Sequence, residues 1–144
     1  MTNSIRELWD MGRGDCVCAI GTNTTECHPI IGIGMMEAKR NGAGLIVIDP
    51  REIDLARQAD VWLRLRPGTD TALLSSIAKV ILDEGLADVE AVAAATEDFA
   101  AFREGLQAFD PESVAPIAEV PAADIRKAAR LIGKSANAAF YYTM

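Results

Sequence analysis

Polar residues that suit a nucleotide ligand follow two predicted strands of this sequence. Asn23, Thr24 and Thr25 place hydrogen-bonding side chains beside the predicted start of a helix, where free backbone N–H groups attract a phosphate. Asp49 closes the next predicted strand, a position from which a carboxylate accepts hydrogen bonds from ribose hydroxyls. Arg51 can pair with phosphate oxygens. These residue types predict that the chain binds a nucleotide.

A third polar turn, Arg66 to Asp70, adds a cation and a carboxylate. Arg66 suits a phosphate. The two oxygens of Asp70 can accept hydrogen bonds from the ring N–H and the exocyclic amine of a guanine. Asp70 also stands where a predicted helix starts, and there an aspartate is more often an ordinary N-cap. The sequence leaves both roles open.

The first two turns belong to a predicted βαβ unit. An apolar run from Cys16 to Ile20 stops at Gly21, which allows the backbone to turn sharply. A predicted helix from about Pro29 to Arg40 leads to a second apolar run, Leu45 to Ile48. This order is typical of a right-handed crossover between parallel strands. Since ligands bind at the carboxyl ends of such strands, we expect the three turns to form one crevice.

The rest of the chain predicts an α/β fold, a three-layer Rossmann-like domain whose mostly parallel β-sheet is flanked by helices. Alternation marks a third strand at Val61 to Leu65, and residues 137–143 read as a final strand. A helical segment covers about 86–134, and Pro116 should break or kink its helix. We expect 1–144 to be a single domain cut from a longer protein.

Composition excludes some classes of partner. The net charge of −7 argues against a nucleic-acid surface. No stretch approaches the roughly 20 apolar residues of a membrane helix, so no membrane insertion is expected. The N-terminus lacks a signal pattern, and the cysteine count is odd at three. Both features predict a reducing, cytoplasmic location.

Two familiar nucleotide motifs do not match. After Gly32 and Gly34, Glu37 stands where a dinucleotide fingerprint needs its third glycine. The Gly133-Lys134-Ser135 run follows a predicted helix rather than the strand that a P-loop requires. His28 is the only histidine, and no nucleophile–base pair is visible. We therefore predict no catalytic residue and no metal ligand in this chain.

Two of the cysteines have a structural interpretation. Cys16 and Cys18 lie two apart on a predicted strand, so both face one side and are expected to be buried. Cys27 lies in the first polar turn, on the side where a ligand is expected.

Three stretches resemble a known family: GTNTTECHPI, AKRNGAGLIVIDPREIDLARQAD and LRLRPGTDTALL. They are similar to the catalytic subunit of molybdopterin-dependent oxidoreductases, and of formate dehydrogenases in particular. The resemblance implies a molybdenum or tungsten ion held by two molybdopterin guanine dinucleotides, with formate oxidised to carbon dioxide. It also implies a 4Fe-4S cluster elsewhere in the parent chain, further domains of the same subunit, and electron-transfer subunits.

By this resemblance the chain is the domain that binds the guanosine part of one dinucleotide. The implied cofactor contacts, together with the turn glycine, are Gly21, Asn23, Glu26, Cys27, Asp49, Pro50, Arg51, Gly68 and Asp70. The cluster cysteines, a cysteine or selenocysteine for the metal, and the family's active-site His-Arg pair do not occur here. The chain alone is therefore expected to be inactive.

Other interpretations stay open. The parent could be a nitrate reductase-like molybdoenzyme, because the matching stretches concern the cofactor and not the substrate. The chain could instead be a stand-alone, non-catalytic nucleotide-binding module. A classical NAD-binding domain is disfavoured by the missing glycine fingerprint.

Overall fold

The structure is a computed structural model that describes residues 5–142, and the side chains of 8–142. The chain divides into two compact units. The first joins Met1–Arg64 to Lys134–Met144, and the second is Leu65–Gly133. The single-domain organisation stays a prediction. The sequence MTNSIRELWD also predicts a short helix with Thr2 or Asn3 as its N-cap, and these two positions lie outside the described residues. Among residues 5–142, no helix is both long enough and apolar enough to span a membrane.

The first unit is built around a four-stranded sheet in the order β3-β2-β1-β4, with every neighbouring pair parallel. This confirms the predicted α/β class. Its elements, in chain order, are α1 (Ile5–Asp10), β1 (Cys16–Ile20), α2 (Thr24–Cys27), α3 (Pro29–Arg40), β2 (Gly44–Ile48), α4 (Asp54–Gln58), β3 (Val61–Leu63) and β4 (Ala138–Tyr142).

The core of the first unit lies against one face of the sheet. Alternate strand residues, such as Val17 and Val47, point into it because successive side chains of a strand face opposite ways. Leu8, Met35 and Leu55 bring α1, α3 and α4 onto that face, and all three are fully buried. Burying each such side chain contributes about 1.5–3 kcal/mol. This packing fixes the sheet edge from which the polar turns project.

The crossover between β1 and β2 differs from its prediction in one respect. The segment expected to be a loop contains the single helical turn α2. Its N–H groups bond locally, since Cys27 N donates to Asn23 O at 3.0 Å and His28 N to Thr24 O at 3.0 Å. The limits of α3 are as predicted, with Pro29 first and Gly42, at φ +97°, beyond its end.

The second unit contains only helices within the described residues. They are α5 (Asp70–Asp83), α6 (Val89–Ala95), α7 (Phe99–Gly105) with a 3-10 turn (Leu106–Ala108), α8 (Pro111–Ala118) and α9 (Ala122–Gly133). The sequence predicts that Pro116 breaks or kinks its helix; the break is wrong, because α8 continues to Ala118. Pro116 forfeits one N–H close to the end of a short helix, and the buried Val114 and Ala118 hold that helix by packing.

Candidate functional site

The strand order defines one edge of the sheet as the place for a ligand. The chain moves from β1 to β2 and β3 on one side, then returns to place β4 on the other side of β1. The carboxyl end of β1 is thus a topological switch point, where open parallel sheets bind their ligands. Gly21 N donates to Ile48 O at 2.8 Å, so the ends of β1 and β2 meet. The structure therefore brings the first two predicted turns together.

The first turn presents both buried and exposed polar groups. Gly21 has φ +56°, a conformation that favours glycine. Asn23 is half-buried, and its Oδ1 accepts a hydrogen bond of 2.9 Å from the Thr25 hydroxyl. Glu26 and Cys27 are exposed at the end of the turn. Exposed side chains beside a fixed Asn23 leave this turn accessible to a ligand.

The second turn holds one carboxylate in a defined orientation. Asp49 is only 1% exposed, directly after β2. Its Oδ1 accepts from the Arg51 backbone N–H at 2.8 Å and from the Arg51 Nε at 3.4 Å. Pro50 between them is half-buried, while the Arg51 side chain is 68% exposed. Among the described residues no hydrogen bond reaches Asp49 Oδ2, so that oxygen can accept from a ligand.

The third turn belongs to the second unit. Gly68 has φ +86°, and Thr69 closes the turn by donating its N–H (3.2 Å) and its hydroxyl (2.6 Å) to Arg66 O. The predicted N-cap at Asp70 is wrong by one residue. Thr69 holds that position, because its carbonyl accepts the N–H of Leu73 at 3.0 Å. That the three turns form one crevice stays a prediction.

Asp70 is the first residue of α5, and its side chain is exposed. In the part of the chain that the structure describes, no hydrogen bond or ion pair engages its carboxylate. The capping role that competed with guanine binding is therefore not the one Asp70 plays here.

Two residues that contact the second turn were not predicted from the sequence. Trp62 Nε1 donates to Asp49 O at 2.9 Å, and Arg64 Nε donates to Pro50 O at 3.3 Å. The sequence pattern that concerns them is the alternation in VWLRL. It places Trp62 and Arg64 on one face of β3 and its continuation. Nothing local to that pattern indicates that their partners are the carbonyls of the second turn.

The two strand cysteines are buried, as their spacing predicts. Cys16 and Cys18 are each 1% exposed, and burial raises the pKa of Cys16 to about 11 and also raises that of Cys18. Cys27 is exposed. His28 precedes α3 at its N-cap without a side-chain capping bond. Within the described residues, no group of three or more His, Cys, Asp or Glu side chains could hold a metal ion.

The chain resembles known proteins along nearly its whole length. Residues 1–140 match the family described as molybdopterin oxidoreductase. The whole chain is 40% identical to formate dehydrogenase H of Escherichia coli and 38% identical to the F420-dependent formate dehydrogenase subunit alpha of Methanocaldococcus jannaschii, covering 20% and 21% of those proteins. A nitrate reductase of Symbiobacterium thermophilum is 42% identical over 139 residues, 88% of this chain and 18% of that protein.

A solved structure gives the same result. Acetylene hydratase from Pelobacter acetylenicus superposes with a TM-score of 0.82 at 34% identity, over 89% of this chain and 18% of that one. The chain thus spans about a fifth of the length of the curated relatives named above. The resemblance of the sequence to molybdopterin-dependent oxidoreductases is confirmed. The chain belongs to the molybdopterin oxidoreductase family.

Proposed function

We propose that this chain is part of the catalytic subunit of a formate dehydrogenase-like oxidoreductase, and that it binds the guanosine part of a molybdopterin guanine dinucleotide. The names of two relatives above, both formate dehydrogenases aligned over the full chain, support the parent activity. The observation that carries the binding role is the buried Asp49 at the carboxyl edge of the sheet, with one oxygen held by Arg51.

The residues of the two turns fit a nucleotide. Asp49 Oδ2 is suited to ribose hydroxyls, because a carboxylate at a strand end accepts two donors without needing a proton of its own. Asn23 offers a side-chain amide and Cys27 an exposed thiol in the neighbouring turn. The exposed guanidinium of Arg51 lies next to Asp49 and is suited to a phosphate. This donor and acceptor set matches the polar half of a nucleotide.

The remaining proposed contacts serve recognition of the base and access by the ligand. Gly68 leaves space because a Cβ there would meet no atom within 4 Å, and its positive φ disfavours any larger residue. Asp70, exposed and without a partner in the described chain, is the proposed guanine acceptor. Glu26 and Pro50 complete the proposed set as neighbours of Cys27 and Asp49.

The bound cofactor would supply the redox chemistry, with molybdenum or tungsten as its metal and a 4Fe-4S cluster elsewhere in the parent accepting electrons. The role of this chain is anchorage. Asp49 and Asn23 would hold the nucleotide end of the cofactor, so that its far end is held in a reproducible position. Partners proposed for the parent are its own remaining domains and electron-transfer subunits. A cytoplasmic location remains a prediction.

A nitrate reductase-like parent is the second candidate. It is supported by the nitrate reductase of Symbiobacterium thermophilum, at 42% identity. The two candidates share the cofactor and differ in substrate, so residues of this chain that bind the cofactor do not separate them.

Metal and nucleotide analysis of the purified full-length parent tests the proposal. We expect molybdenum or tungsten, with two equivalents of releasable guanine nucleotide per metal ion. We also expect the parent to reduce a dye when formate is present. Nitrate reduction without formate oxidation would favour the second candidate. Finding neither metal nor guanine would overturn both and leave a non-catalytic nucleotide-binding module.

A matched pair of variants of the parent tests the role of Asp49. The Asp49→Asn variant should lose bound guanine nucleotide during purification. The substitution replaces one carboxylate oxygen, an acceptor for the ribose hydroxyls, with an amide NH2 group, which is a donor. Asp54→Asn is the control, since it changes an exposed carboxylate of α4 that pairs with Arg57. Equal nucleotide content in both variants would contradict the assignment of Asp49.

A further inference from the structure

We propose that Trp62 and Arg64 are positioning residues, which fix the Asp49-Pro50 turn and thereby the direction in which the Asp49 carboxylate faces a bound nucleotide. The inference rests on the proposed function, since it takes this turn as part of the cofactor site. Trp62, Arg64 and the turn they contact all lie within the first unit.

Two side chains bind two consecutive carbonyl groups of the turn. The indole Nε1 of Trp62 donates to Asp49 O at 2.9 Å. The guanidinium Nε of Arg64 donates to the next carbonyl, Pro50 O, at 3.3 Å. The Arg64 guanidinium carbon also lies 5.7 Å from the centroid of the Trp62 ring, within the range of a cation–π contact. The two donors therefore support each other as well as the turn.

The place of these contacts explains what they do. The pairing of β2 with β3 ends where Ile48 faces Leu63. Asp49 and Pro50 come directly after that last pair, where the strand ladder no longer orients their peptide groups. Trp62 faces Val47 in the ladder, and its indole reaches forward to the carbonyl of Asp49. Side-chain donors from β3 and from Arg64 directly after it thus orient the two peptide groups that follow the ladder.

Fixing these carbonyls also fixes the carboxylate. The Asp49 side chain is anchored on one side by the Arg51 N–H, which bonds to Oδ1 at 2.8 Å. That N–H follows Pro50, so its direction depends on the peptide plane that Arg64 holds. If the plane of Pro50 rotates, the Arg51 N–H turns away and Oδ1 is released. Oδ2, the oxygen proposed for the ligand, then loses its fixed direction.

The test compares three variants of the full 144-residue chain. Trp62→Phe keeps an aromatic ring but removes the N–H donor. Arg64→Met keeps an aliphatic stem at an exposed position, where loss of folding is not expected. Trp9→Phe is the matched control, because it changes the only other tryptophan, which lies on α1. Amide hydrogen exchange is measured by NMR, and GDP affinity by calorimetry.

The expected result is local. Exchange of the Arg51 and Ile53 amides, which bond within the turn, should accelerate about fivefold in Trp62→Phe, as loss of one neutral hydrogen bond predicts. It should accelerate at least as much in Arg64→Met, because the guanidinium donor is charged. The GDP dissociation constant should rise by a similar factor. Trp9→Phe should change neither. Exchange in β2 should stay slow in all three variants, which separates a loosened turn from general loss of stability.

Other outcomes are equally informative. Unchanged exchange at Arg51 in both turn variants would overturn the proposal. So would equal acceleration throughout β2, because the residues would then merely stabilise the fold. If exchange accelerates at the turn while the wild-type chain binds no GDP, the anchoring of the turn stands and the proposed nucleotide-binding function fails.

Discussion

A Cβ atom added to Gly32 would lie 3.2 Å from the backbone nitrogen of Thr25. The same atom would lie 3.2 Å from the carbonyl carbon of Thr24, so the crowding is against main chain and not against a flexible side chain. Glycine at this position of α3 lets the single turn α2 pack directly on the helix backbone. The Thr24 hydroxyl adds a contact of 3.6 Å to the sulfur of Met35. The packing of α3 beneath the first polar turn therefore requires glycine, which has no side chain, at position 32.

Gly32→Ala should lower the free energy of unfolding by about 1–2 kcal/mol. The added methyl group forces the backbone of Thr25 away, and overpacking of this kind costs about 1–3 kcal/mol, partly offset by the better helix propensity of alanine. Urea denaturation followed by circular dichroism measures the change. Gly105→Ala is the control, because no atom lies within 4 Å of its Cβ position and it should gain up to about 1 kcal/mol. Equal shifts in both variants would contradict the crowding.

Asp70→Asn should weaken GDP binding about tenfold while ADP binding, if any, stays the same. The substitution replaces one of the two acceptors proposed for guanine with a donor, and charged hydrogen bonds contribute about 1.5–3 kcal/mol. Stability should fall by less than about 1 kcal/mol, since Asp70 only adds negative charge to the first turn of α5. Calorimetric titration and urea denaturation give the two numbers.

Asp88→Ala serves as the comparison for Asp70. Asp88 caps α6 by accepting from Ala91 N at 3.0 Å, so its loss should cost about 1 kcal/mol of stability and leave GDP affinity unchanged. Should Asp70→Asn behave in the same way, Asp70 has no role in guanine recognition.

Cys27 should be the single cysteine that iodoacetamide modifies in the folded chain. Cys16 has a pKa of about 11, which leaves roughly one thiolate in ten thousand at neutral pH, and the pKa of the buried Cys18 is raised as well. Mass spectrometry should find one adduct in the native chain and three in denaturant. Cys27→Ser should leave the native chain unmodified. GDP should slow the reaction if Cys27 borders the nucleotide; rapid modification of Cys16 would contradict the burial.

Asp15 should make stability depend on pH in the acid range. The Gly12 N–H, at 3.0 Å, and the Asn137 amide, at 2.8 Å, hold its pKa below the usual 3.8. The folded chain therefore binds this proton more weakly than the unfolded chain. The carboxylate stabilises the fold above about pH 4, and that stabilisation disappears as the pH falls through the lowered folded pKa.

The difference in thermal midpoint between wild type and Asp15→Asn should thus shrink as the pH falls from 6 to below 3. Asp10→Asn removes the same formal charge from the exposed end of α1 and provides the control. A difference between wild type and Asp15→Asn that is constant across this range would contradict the assignment.

Local pattern was sufficient for most of the elements and for the place of Asp49 at the end of β2. The limits of the crossover follow from the apolar runs of β1 and β2, from Pro29 and from the Asn41-Gly42 pair. Each of these acts through its immediate neighbours in the sequence. Asp49 was found for the same reason, as the polar residue at the end of a buried strand. By contrast, α2 is a single turn of four residues, too short for helical periodicity to register.

Contacts distant in sequence were beyond such reasoning. The donor that Trp62 offers to Asp49 spans 13 residues, and nothing in VWLRL indicates where its indole points. Proposed contacts such as Glu26 and Gly68 came from family resemblance and not from spacing. The role of Thr69 at the start of α5 was misassigned to Asp70, because both residue types cap helices and only the hydrogen bond to Leu73 distinguishes them.

The position of β4 beside β1 has a consequence for biosynthesis. Asp15 and Asn137, which bond across the beginnings of these two strands, are 122 residues apart. At about 5–20 residues per second, a ribosome needs roughly 6–25 s to make the intervening chain. Throughout that interval one edge of β1, a strand of mostly buried residues, lacks its parallel neighbour β4. The nascent chain thus exposes a strand edge with unpaired backbone N–H and C=O groups, which can pair with other chains. A chaperone that shields this edge should raise the yield of folded protein.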